Sequence, residues 1–171
     1  MQIEQLFKNK TQKPKERTAH LSQLVSDQTV SVDELIAYAA KAKDPAKATC
    51  IESLEFATQT NPQILDETAL NWIIECLADK APRIKWESAK VVGNTIHLHP
   101  SLIGSAVKKL LDNTESDGTV VRWSAAFALA QVVKLKSNIN STLIPALQAT
   151  MEQEEKNSIK KIYLAALKKI K

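Results

Sequence analysis

Glycine is scarce in this chain, with three residues in 171, and proline adds only six. So few turn-makers, set against abundant Ala, Leu, Ile, Lys and Glu, argue for an all-α chain. Cysteine is limited to Cys50 and Cys76, too few for a disulfide framework, so a cytoplasmic protein with reduced thiols is expected. No segment approaches ~18 uncharged apolar residues, which argues against a membrane span. "MQIEQLFKNK" carries Glu4 and lacks an apolar stretch, so it does not read as a signal peptide. Chemistry-bearing motifs are missing too. "GSAV" and "SDG" are not phosphate loops, and no Ser/His/Asp set stands in a recognisable context. The expectation is a chain without catalytic residues, cofactor or metal.

What is present starts with charge. The net charge is +4, but it is unevenly spread. Residues 1–20 hold five basic and two acidic side chains, and residues 156–171 hold six lysines and no acid. The 135 residues between them hold 12 basic and 17 acidic side chains. A continuous electropositive groove for nucleic acid would need its basic residues along the middle.

The middle carries an internal repeat instead. Ile84, Ser88, Val91, Val92 and Thr95 align with Val121, Ala125, Ala128, Leu129 and Val132, 37 residues on. Thirty-eight residues before the first set stand Ala46, Cys50, Ser53, Leu54 and Ala57. Thirty-eight after the second stand Ile159, Tyr163, Ala166, Leu167 and Ile170. This spacing traces one face of a helix of 3.6 residues per turn, and a period of this size marks a solenoid.

The segments between these helices are helical as well. "SVDELIAYAAKAK" opens with Ser31 and Glu34 at capping-box spacing. Pro62 and Pro100 suit a first helical turn, and Pro145 should start or kink its helix. Each unit then reads as two antiparallel helices joined at a turn carrying Asp44, Asp79 or Asp117. First helices are expected over 31–42, 63–79, 100–114 and 139–154, and second helices over 46–60, 83–97, 119–135 and 157–170. Residues 1–30 form a basic segment and a capping helix. Residues 31–171 form the array, in units 31–60, 63–97, 100–135 and 139–170. Neither helix of a unit buries its apolar face alone, so neighbours supply the core.

"DKAPRIKWESAKVVG" and "DGTVVRWSAAFALA" resemble the second helix of HEAT repeats, of armadillo type: a turn Asp, a Val or Ile, a basic residue, then a helix rich in small residues. The resemblance spans residues 31–171 and is best over 83–97 and 119–135. It departs from the pattern at Ala48 and Thr49, and in the last helix, where lysines replace outer apolar residues. It implies a right-handed α-solenoid of about four hairpins whose second helices line a concave surface. The expected function is non-catalytic binding of a protein or peptide there. The alternative is a nucleic-acid-binding protein related to the HEAT-like-repeat DNA glycosylases that act on alkylated bases. For those, the resemblance implies concave tryptophans and a catalytic Asp. The two best-matched second helices contain Glu87 and no Asp.

Six residues are candidates for binding: Lys85, Trp86, Lys90, Arg122, Trp123 and Gln131. Arg122 and Lys85 follow the turn acids, so two readings are open: a ladder on Asp117, Asp79 and nearby carbonyls, or recognition of phosphate or carboxylate. Trp86 and Trp123 stand about 200° from the apolar column at ~100° per residue, above small residues such as Gly93 and Ala130. They are either packed between repeats or an exposed aromatic platform. Gln131 is a polar residue on a largely apolar helix. Trp72 falls on a dense apolar helix and reads as core, as do Cys50 and Cys76. His97 and His99 are two apart with no Cys or acid cluster beside them, so a metal is not expected. The lysines of "NSIKKIYLAALKKIK" suit a solvated terminal helix, or one that meets an acidic partner, a membrane surface or nucleic acid. Apolar stripes left exposed would also permit self-association.

Overall fold

A computed structural model describes residues 2–171, which fold into ten α-helices with no strand among them. The first helices of the hairpins are α1 (Gln2–Lys8), α3 (Val32–Lys41), α5 (Glu67–Cys76), α7 (Ile103–Asn113) and α9 (Asn140–Gln153). The second helices are α2 (Pro14–Ser26), α4 (Asp44–Thr60), α6 (Pro82–Thr95), α8 (Thr119–Lys134) and α10 (Asn157–Lys168). Four full hairpins thus follow a shorter leading pair, whose α2 stacks on α4 as one more second helix.

Local chemistry sets the helix starts. The Ser31 hydroxyl accepts the Glu34 N–H at 3.1 Å, and the Glu34 carboxylate returns to the Ser31 N–H at 3.0 Å, closing the expected capping box. Asp66 caps α5 by accepting the Ala69 N–H at 2.8 Å. Pro62 and Pro100 open short 3₁₀ turns, Pro62–Ile64 and Pro100–Leu102, so α5 and α7 begin later than the prolines suggest. Asp44 is the first residue of α4 rather than a turn residue. Helix α9 runs through Pro145, which stands on its exposed side. With so few glycines, two chain reversals fall to other residues: Gln28 and Lys136 take φ of 62° and 54° just after α2 and α8.

The repeated column forms the core. Cys50, Ser53, Leu54 and Ala57 of α4, Ser88, Val91, Val92 and Thr95 of α6, and Ala125, Ala128, Leu129 and Val132 of α8 are all buried. Two of their hydroxyls bond back to their own helices, Thr95 to the Val91 carbonyl at 2.8 Å and Ser53 to that of Thr49 at 2.8 Å, while the buried Ser88 hydroxyl has no partner among the described residues. Small side chains let α2, α4, α6, α8 and α10 stack closely in chain order, while the first helices touch one another far less. The second helices thus form one closely stacked layer, and the first helices cover its other side.

Candidate binding surface

Polar links between successive units hold the layer of second helices in register. Glu52 of α4 accepts from Thr18 of α2 at 3.0 Å and from Arg83 of α6 at 2.8 Å, joining three second helices. The Asn94 amide of α6 donates back to α4, to the Glu55 carbonyl at 3.2 Å and the Thr58 hydroxyl at 3.1 Å. Along the turn edge, Lys47 pairs with Asp79 at 2.8 Å and lies 5.6 Å above the Trp72 ring. One repeat pair further on, Arg122 binds Glu154 at 3.0 and 3.3 Å, and donates to the Ser116 and Asp117 carbonyls of its own turn. Burial by itself raises the carboxyls of Glu154 and Asp79. The bonds from Arg122 and Lys47, with those from nearby backbone N–H groups, hold both below the ordinary carboxylate value.

The candidate residues therefore separate. Arg122 belongs to the link between units, and Lys85, at the equivalent place on α6, is half-buried without an ion pair among the described residues. Lys90 pairs with Glu87 at 2.9 Å. Glu87 also accepts the Trp86 indole N–H at 2.9 Å, so Trp86 is half-buried with its ring fixed in orientation. Trp123 is 39% exposed and stacks on Phe127, with centroids 6.0 Å apart and planes 5° from parallel. Gln131 lies two turns beyond Trp123, half-buried, its amide without a hydrogen bond among the described residues. Trp72 is partly buried against the core.

Two members of this surface were not singled out from the sequence. Val120, 51% exposed, and Phe127 stand on the same side of α8 as Trp123. Phe127 carries a signal in retrospect: it is four residues after Trp123 and meets a glycine on the preceding second helix, α6. A Cβ on Gly93 would lie 2.5 Å from Phe127 Cε1, so the glycine makes the bed for the ring. Val120, Trp123 and Phe127 form an apolar stripe on the side of α8 turned away from the repeated column, with Trp86 at the equivalent place to Trp123 on α6.

Other chemistry is sparse on the described residues. Burial pushes the Cys50 thiol up to about 12 and the Cys76 thiol to about 11, so neither is poised as a nucleophile. No group of three His, Cys, Asp or Glu side chains among them could hold a metal, and no helix is long and apolar enough to cross a membrane. The ring of His99 makes a hydrogen bond with the Leu65 carbonyl at 2.9 Å, a link between units.

No family model matches the sequence, and no curated protein does. Solved structures do match in shape. A designed armadillo repeat protein, in complex with the peptide (KR)4, superposes with a TM-score of 0.73 at 16% identity, over 92% of this chain and 75% of that one. The complex of CpcE and CpcF of phycocyanin lyase from Nostoc sp. PCC7120 matches at 0.68 and 20% identity, over 88% and 86%. An engineered protein matches at 0.75 and 16% identity, over 99% and 79%. Likeness at such identities speaks for the fold alone. This chain folds as an α-solenoid of the armadillo and HEAT-like kind.

Proposed function

We propose that the chain is a non-catalytic scaffold that binds a protein or peptide segment along the concave face of its second helices, in a cytoplasmic setting. The observation that carries this reading is the stripe of Val120, Trp123 and Phe127. Three large apolar side chains on one side of α8, Trp123 stacked on Phe127 and Val120 a turn before them, are left without a covering element, on a surface held in register by links such as Glu52 with Arg83. Buried aromatic anchors dominate binding energy, and a preformed surface loses little freedom on binding. The peptide bound by the designed armadillo protein of the same fold adds support by analogy.

Trp123→Ala tests it. The side chain is partly exposed and outside the repeated column, so circular dichroism should show unchanged helicity. Affinity for a segment bound across the stripe should fall by about 2 kcal/mol or more, the size of an interface anchor. Loss of the fold would make the residue structural, and unchanged affinity would move the binding surface elsewhere.

A further inference from the structure

The stripe is apolar at its centre but carries unbalanced charge at one edge. By the 38-residue register, Trp123, Phe127 and Gln131 of α8 are followed on the α10 side by Lys161, Ala165 and Lys169. All three of these are exposed. The lysines of α10 and its end make no ion pair among the described residues; the paired cations are Lys47, Arg83, Lys90, Lys109 and Arg122. At the opposite edge two carboxylates are already paired, Glu52 with Arg83 at 2.8 Å and Glu87 with Lys90 at 2.9 Å, and Glu55 is buried. Much of the acidic excess of the middle stands on the turn edge and the first helices, as at Asp79, Asp112 and Glu115.

From this complementarity, and resting on the concave-face reading above, we propose that the occupant is an acidic peptide segment with apolar side chains. Its apolar groups lie over Val120, Trp123 and Phe127, and its carboxylates meet Lys161 and Lys169. Charge of the right sign steers such a segment and rejects one of the wrong sign. A nucleic-acid strand fits less well, because phosphates recur along a strand while the basic excess stands at the two ends of the chain and the middle is net acidic.

The test uses the full chain and three labelled probes in fluorescence anisotropy at low salt. They are a twelve-residue peptide alternating Asp and Leu, its Lys and Leu counterpart, and a twelve-residue oligothymidylate. The acidic peptide is expected to bind about tenfold more tightly than the basic one or more, and to weaken as salt rises. A Lys161→Glu, Lys169→Glu variant changes two exposed positions and should keep its helicity while losing that preference. Tighter binding of the basic peptide, abolished by Trp123→Ala, overturns the acidic occupant and leaves the concave reading standing. Tightest binding of the oligothymidylate, indifferent to Trp123→Ala, overturns both. Absence of binding by either peptide, or an unaltered preference in the double variant, also overturns the acidic occupant.

Discussion

Glu55 illustrates what burial does to a single side chain on this scaffold. It is 5% exposed; its Oε1 accepts from the Gln59 amide and its Oε2 has no hydrogen-bond partner. Burial raises its carboxyl above the ordinary glutamate value, Gln59 and Lys90 oppose the rise, and Glu87 and Glu52 add to it. A carboxyl raised in the folded state contributes stability below its unfolded value, and loses it as pH rises through the folded one. Glu55→Gln should therefore be more stable than the parent at pH 7 in urea denaturation, with the gap closing as pH falls through the raised value toward 4.5. A deficit that is constant across pH would contradict this account. At this scale, much of the surface was legible. Trp86 and Trp123 stood out because they repeat at 37 residues on the side away from the apolar column. Glu55 did not, because one Glu within a helix carries no sign of its burial; the turn of α4 against α6 supplies it.

Between elements, stability depends on links that cross from one unit to the next. Arg122 and Glu154 are 18% and 3% exposed at their side chains and 32 residues apart. Removing Arg122 leaves a buried carboxylate without its cation, at a cost of about 2 kcal/mol. Arg122→Gln should lower stability by roughly that amount and still bind its partner under native conditions. The double variant with Glu154→Gln should recover part of the loss, as residues in direct contact do. A loss of affinity without loss of stability would make Arg122 a binding residue instead. The sequence suggested a role at the turn for Arg122, but its partner sits in the connection after α9, outside the repeated column. The leading hairpin was obscured for a related reason. The starts of α4, α6, α8 and α10 are 38, 37 and 38 residues apart, whereas those of α2 and α4 are only 30 apart. Helix α1 is also only seven residues long, too short to show an apolar period.

Across the whole molecule, two layers divide the work. The closely stacked second helices form the floor that carries the aromatic stripe, and the first helices cover their other side. Repeat architecture was plain from the column of small and apolar residues, since stacking requires it in every unit. The occupant of the floor was not, because exposed residues answer to the partner rather than to the fold. Hydroxyl-radical footprinting measures that floor directly, with peptides selected from a random twelve-residue library for binding to the full chain. A concave binding surface predicts that Trp123 and Phe127 lose oxidation when peptide is bound, while exposed residues of α5, α7 and α9 do not. Protection confined to those first helices, with Trp123 and Phe127 as reactive as in the free chain, would contradict it.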